Sequence, residues 1–269
     1  MSASIEIRVK GLCKAFGDTT VLTGIDLEIV SGEIVAIVGG SGCGKTVLLN
    51  HVLGKLEPDA GSVSVADHAA ADAPLIDLAD IDPAERDRLH TYWGVVFQRN
   101  ALFSGSVFDN FAVWLKEIKN LGDEEIVPVA RTALQAVDLP DTDEFLETAV
   151  ESLSGGMAKR LAVARALSMK PAVLFYDEPT TGLDPTNAAQ IQDLILATHE
   201  APGPAGCMRT TVIITHDKDL LNRLRPRTVM LHEGRVSFDG PFDAFKASRS
   251  SVIRPYFDLM PVLHGRPTA

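Results

Sequence analysis

The stretch EIVAIVGGSGCGKTVLLN, from Glu33 to Asn50, decides the fold. Its opening, EIVAIV, is a short apolar run of the kind buried on both faces of a sheet. Its end, with the residues that follow, reads as a helix closing at Gly54 or soon after. Between strand and helix, Gly39, Gly44, Lys45 and Thr46 fit G-x-x-x-x-G-K-[ST] at every fixed position, with Ser41 and Gly42 inside the loop. Glycines let the backbone curl so that several N–H groups point at one anion, and the helix start adds its positive end. Lys45 is placed to reach the outer phosphates of a nucleoside triphosphate, and the Thr46 hydroxyl to ligate Mg²⁺.

Outward from this loop, strand and helix patterns alternate. IEIRVKGL (Ile5 to Leu12), the run from Val21 to Gly32, GSVSVA and WGVVFQ read as strands. PAERDRL reads as a short polar helix, and residues from about Asp67 to Asp82 as a poorly patterned loop. Val107 to about Val150 is helical in pattern. Two more buried strands follow, AVLFYDE and TTVIITHD, with the helix PTNAAQIQDLILATHE between them, and short helices after Pro241. The sum predicts an α/β core with a parallel sheet and an inserted helical subdomain. AVLFYDE sets Asp177 and Glu178 at the carboxyl end of a strand, where open parallel sheets bind ligands. Asp177 suits a Mg²⁺ contact, and Glu178 suits polarising a water for attack on a γ phosphate. VIITH sets His216 at a second such end; the other six histidines read as ordinary surface or core residues.

The 269 residues carry a net charge of −11 and 46% apolar content, which argues for a real core and against a nonspecific nucleic-acid binder. No run approaches the roughly 18 apolar residues of a membrane span, and the start lacks the apolar core of a secretory signal. A cytoplasmic chain is expected, with any membrane role needing a partner that spans. Cys13, Cys43 and Cys207 are scattered, without metal spacing, and read as reduced thiols.

LSGGMAKR (Leu153 to Arg160) takes the reading further. With the loop, Gln98, DEPTTGLDP and ITHD, it resembles the nucleotide-binding subunit of ABC transporters over about residues 5 to 240. The resemblance implies a P-loop NTPase core of ABC type with a parallel central sheet, a small antiparallel β subdomain, an inserted helical subdomain over about 99–165, and a C-terminal helical tail over 241–269. It implies Mg²⁺-dependent ATP hydrolysis by a head-to-tail dimer, in which Ser154, Gly155 and Gly156 of one copy close on ATP held by the other. Phe16 would stack on adenine, although a core position is the plainer reading of an aromatic. Gln98 would touch Mg²⁺ or the attacking water and sense a membrane partner, Asp184 would link the two sites, and His216 would contact the γ phosphate. Arg160 would be a helix-face neighbour. Three features depart from the common pattern: Met157 after the glycines, Tyr176 in the acid-bearing strand, and the long segment from Ser64 to His90.

Met157 and the stretch GVVFQRNALFSGSVFDNFAVWL (Gly94 to Leu115) look like the ATPase of bacterial Mla/Mce-type phospholipid transporters. That likeness implies a peripheral position on the cytoplasmic face of the inner membrane, an integral membrane permease docked beside Gln98, an MCE-domain lipid-binding protein and glycerophospholipid cargo. Leu102, Phe103, Val107, Phe108, Phe111 and Trp114 form an apolar cluster there, part core and part candidate docking groove. The alternatives are an ABC importer for a polar solute and a soluble ABC ATPase. The repair type of the latter needs a long coiled coil, for which the 56 positions from Gln98 to Ser154 (154 − 98) leave no room.

Overall fold

The structure, a computed structural model, describes residues 4–70, 72–203, 206 and 208–259. Cys207 and the expected tail beyond residue 259 lie outside the described residues. The chain forms two compact units, residues 1–90 with 210–269 and residues 91–209.

The first unit opens with two long antiparallel strands, β1 (Ile5–Phe16) and β2 (Thr19–Val30). After β3 (Ile34–Val38) and α1 (Lys45–Val52), the strands β4 (Ala60–Ala66) and β5 (Leu75–Asp77) complete an antiparallel sheet in the order β2-β1-β4-β5. Alternate residues such as Ile25, Leu27 and Ile29 of β2 are buried, as half-covered antiparallel strands require. The short strand β5 corrects the loop expected over Asp67 to Asp82. It is held from outside itself: Asp67 takes a two-pronged contact from Arg88 of α2 (Pro83–His90), at 2.7 and 3.0 Å. Ala69 N–H donates to the same carboxylate at 3.0 Å.

The Arg88 hydrogen bonds hold the Asp67 carboxyl below the ordinary 3.8. A lowered folded-state value stabilises the fold above that pH, and the contribution fades as pH falls through the lowered value. Asp67→Asn therefore lowers unfolding free energy by about 2 kcal/mol near neutral pH, and the difference narrows as pH falls through the lowered carboxyl value. Urea denaturation at neutral and acid pH checks this.

The second unit begins with β6 (Trp93–Val96) and runs through α3 (Val107–Lys119), α4 (Asp123–Gln135), the short α5 (Asp143–Leu146), a 3₁₀ turn over Val150–Ser152, and α6 (Gly155–Ser168). Then come β7 (Val173–Asp177), parallel to β6, and α7 (Pro185–Glu200). α3 starts in a reciprocal cap: Asp109 N–H donates to Ser106 Oγ at 3.0 Å, and Ser106 N–H to Asp109 Oδ2 at 2.8 Å. Tyr176 is tolerated in β7 because its buried hydroxyl pairs with Thr198 at 3.1 Å. Burial pushes that phenol up to about 12.

The chain returns to the first unit with β8 (Thr210–Ile214), α8 (Lys218–Leu224), β9 (Arg227–His232), β10 (Arg235–Pro241), α9 (Phe242–Ala247) and α10 (Ile253–Leu259). β3 lies between β8 and β9, parallel to both, with Ile37 opposite Ile214 and Val229. β10 pairs antiparallel to β9 and adds one antiparallel strand beside the expected parallel ones. Phe242, Phe245 and Ile253 pack with Ala36, Val38, Leu221 and Met230 into one buried cluster, which ties the tail helices to the sheet.

Candidate functional site

In the first unit the loop from Gly39 to Gly44 leaves the buried end of β3. Gly39 has φ +150°, and a Cβ there would lie 2.4 Å from the Leu231 carbonyl of β9. No side chain fits that approach. Gly44, at φ 103°, is the N-cap of α1 and gives its first turn no side-chain acceptor. The early N–H groups of α1 are thus left for an anion. The Lys45 ammonium donates to the carbonyls of Gly39 at 2.8 Å and Gly40 at 3.0 Å, which holds the charge over the same loop. Ser41, Gly42 and Thr46 are exposed.

His216 reaches this end of the sheet through strand pairing. Thr215 N–H donates to the Ile37 carbonyl at 3.2 Å, so β8 ends beside the point where β3 enters the loop. Asp217 caps α8 through the N–H groups of Asp219 (2.8 Å) and Leu220 (3.2 Å), and its own N–H donates to Thr215 Oγ1. That brace turns the chain directly after His216. Phe16 is 47% exposed at the β1–β2 turn, so it is not a core aromatic. The Lys14 ammonium sits 5.7 Å from its ring centroid.

Cys43 Sγ lies 4.0 Å from Lys45 Nζ, and a Cβ on Gly39 would lie 2.6 Å from it. An adduct on this sulfur would lie against Gly39 and the Lys45 ammonium, within the loop itself. Alkylation is expected to abolish ATPase activity, with ATP protecting. Labelling that leaves activity intact, or that ATP does not slow, would count against this.

In the second unit Asp177 ends β7 and Glu178 follows at φ +47°, a left-handed conformation uncommon for a non-glycine residue. Such backbone strain costs about 1–3 kcal/mol and gathers at functional positions. The turn is braced by Thr181, whose N–H donates to the Glu178 carbonyl at 3.3 Å and whose hydroxyl donates to Oε2 at 3.4 Å. Asp184 is the N-cap of α7, accepting from the N–H groups of Thr186 and Asn187 at 3.1 Å. The Asn187 side-chain amide, the larger cause, and these backbone bonds hold its carboxyl below the ordinary carboxylate range. Ser154 caps α6, accepting from Met157 N–H at 3.3 Å. Ser154 and Gly155 are exposed, whereas Gly156 is buried against α7, where a Cβ would meet Asn187 Oδ1 at 2.1 Å.

Gln98 is exposed, two residues beyond β6. Its backbone is held by a residue the sequence reading did not single out. Lys159 of α6, 2% exposed, donates to the carbonyls of Phe97 (3.1 Å) and Gln98 (2.9 Å). Burial pushes its ammonium down to about 8, opposed by the charge of Asp177. Arg165, also buried, donates to the Ala101 carbonyl at 2.7 Å and lies 5.5 Å from the Phe103 ring centroid. Asn110 accepts from Phe103 N–H at 2.9 Å and donates to the Phe103 and Ser106 carbonyls. The apolar cluster divides accordingly. Val107 and Phe111 are core, while Phe103 (40%) and Trp114 (41%) are exposed, with Val113 and Ile118 on the same helix. Arg160 ties α6 to the Asp138 carbonyl at 3.0 Å and to Gln190 of α7 at 2.7 Å.

Comparison with known proteins places this arrangement. Residues 22–181 match the family model described as ABC transporter. The protein TRIGALACTOSYLDIACYLGLYCEROL 3 of Arabidopsis thaliana chloroplasts is 32% identical over 266 residues, covering 94% of this chain and 74% of the relative. The L-cystine transport system ATP-binding protein TcyN of Escherichia coli is 35% identical over 245 residues, covering 90% and 92%. A dimeric ATP-binding cassette solved in a post-hydrolysis state with ADP and Pi superposes with a TM-score of 0.73 at 27% identity, covering 88% of this chain and 98% of that one.

Proposed function

The chain belongs to the ABC transporter family as an ATP-binding, ATP-hydrolysing subunit, and from that premise we propose that it powers a membrane phospholipid transporter. Two copies close head to tail on two ATP molecules, and hydrolysis releases them. Lys45 and the loop N–H groups bind the phosphates, Phe16 stacks on adenine, and His216 contacts the γ phosphate. Glu178 orients and polarises the attacking water. Ser154, Gly155 and Gly156 of each copy meet the ATP held by the other, and Asp184 links the two sites. Thr46, Gln98 and Asp177 offer hard oxygen donors of the kind Mg²⁺ takes and are the residues that would hold it. When bound, Mg²⁺ neutralises charge across the β and γ phosphates.

The observation that carries the transporter reading is the exposed apolar patch of Phe103, Val113, Trp114 and Ile118, joined to Gln98 by four residues of chain fixed at both ends. Such a patch fits an apolar helix of a permease docked at the cytoplasmic face of the inner membrane. Among the described residues no helix is long and apolar enough to cross a membrane, which leaves the spanning to that permease. Met157, the Gly94 to Leu115 stretch and the lipid-named Arabidopsis relative favour phospholipid cargo handed on by an MCE-domain protein. A polar-solute importer is the second reading, favoured by the likeness to TcyN.

The test is capture of the tagged chain from detergent-solubilised membranes of its own host, with proteins and lipids identified by mass spectrometry. A multi-spanning permease, an MCE-domain protein and phospholipid together are expected. A solute-binding protein in place of the MCE protein would move the assignment to the importer.

A further inference from the structure

A buried ammonium is an expensive way to fill a core. Withdrawing a charge from water is unfavourable by several kcal/mol, and a straight apolar chain would pack the same space without that penalty. Lys159 is 2% exposed and spends its charge on two successive peptide carbonyls, those of Phe97 and Gln98. Six residues on, Arg165 does the same for Ala101 and lies over Phe103. Both cations stand on α6, the helix that Ser154 caps. The segment from Phe97 to Phe103 is therefore tied at both ends to one helix, and that helix begins in the Ser154–Gly156 turn.

We propose that Lys159 is a positioning residue: its ammonium locks the Gln98 peptide to α6, so that Gln98, the Phe103–Trp114 patch and the Ser154 turn move as one body. Lys159 touches neither ATP nor the attacking water in this account; it acts through Gln98. The proposal rests on the place given to Gln98 above, among the residues that would hold Mg²⁺ at the site of hydrolysis. Its physical content is that movement at the docking patch or at the Ser154 turn reaches Gln98 without slack. With the ammonium gone, the two carbonyls lose their common partner and the Gln98 peptide samples several positions. Productive placement of the Gln98 amide then becomes rare, while the phosphate loop, in the other unit, keeps its geometry.

The test compares the full chain with Lys159→Met, which keeps the length of the stem, and Lys159→Gln, whose amide reaches fewer acceptors. Lys159→Met is expected to lower kcat for ATP hydrolysis by about 10-fold or more with KM for ATP within about 2-fold, the pattern of an interaction that matters in the transition state only. Lys159→Gln is expected to fall between Met and the parent. Amide hydrogen exchange is the second readout. Amides from 97 to 103 should exchange at least about 10-fold faster in Lys159→Met, and those of the phosphate loop at the parental rate, as for local opening. This readout needs no turnover. A parent chain without ATPase activity would refute the hydrolytic reading, while exchange would still judge the clamp. Parental kcat in Lys159→Met, a rise in KM that tracks the loss of kcat, unchanged exchange at 97–103, or failure of both variants to fold would each overturn the proposal.

Discussion

Glu178→Gln is expected to lower kcat for ATP hydrolysis by about 100- to 10,000-fold, the range attributed to a lost general base, with ATP affinity little changed. Glu178 follows β7 in a left-handed conformation that an acyclic L-residue adopts only when its surroundings insist, and Thr181 braces it through both N–H and hydroxyl. Glutamine keeps the size and the acceptor for Thr181 and loses only the negative oxygen that draws a proton from water. Binding groups elsewhere are untouched, so the substitution separates binding from chemistry. Phosphate release under saturating ATP, alongside equilibrium binding of a fluorescent ATP analogue, checks both halves. A fall in affinity matching the fall in kcat would place Glu178 in binding instead.

Lys45→Ala should act on binding and on chemistry together. Its ammonium is fixed over the loop by the carbonyls of Gly39 and Gly40, so it meets an incoming triphosphate without rearranging the loop. Removing one charged partner of a buried hydrogen-bonded pair weakens binding by about 2–5 kcal/mol, or roughly 30- to several thousand-fold. A further loss of about 100-fold in kcat follows from the lost stabilisation of charge on the transferred phosphate. Retained nanomolar to micromolar ATP binding with parental kcat would contradict the assignment of the loop.

Much of this was legible in the sequence for identifiable reasons. The phosphate loop is a spacing rule set between a buried strand and a helix, and both neighbours formed where their patterns put them. Asp177 and Glu178 were readable because an apolar run ending in acids is unusual. What was not legible depended on distant chain. Gly39 is required because the Leu231 carbonyl of β9 closes on it, a contact across about 190 residues of chain that no local pattern announces. β5 is three residues long and is held by β4 and by the Asp67–Arg88 pair, so no local periodicity announced it. The left-handed turn at Glu178 leaves no mark on composition. Asp184 reads as a link between two sites, and its helix-capping work, like that of Asp217, appears only with the backbone in place. Lys159 was missed because lysine is almost always exposed, and nothing local says that this one turns inward.

In the proposed cycle ATP brings two copies of this chain together and hydrolysis at Glu178 parts them. The most direct measurement is the solution mass of purified Glu178→Gln by light scattering, with and without Mg²⁺-ATP. The mass of one chain is expected without nucleotide and of two with it. Return to one chain is expected when Lys45→Ala or Ser154→Arg is added. A mass that ATP leaves unchanged, in a chain shown to bind ATP, would contradict the cycle.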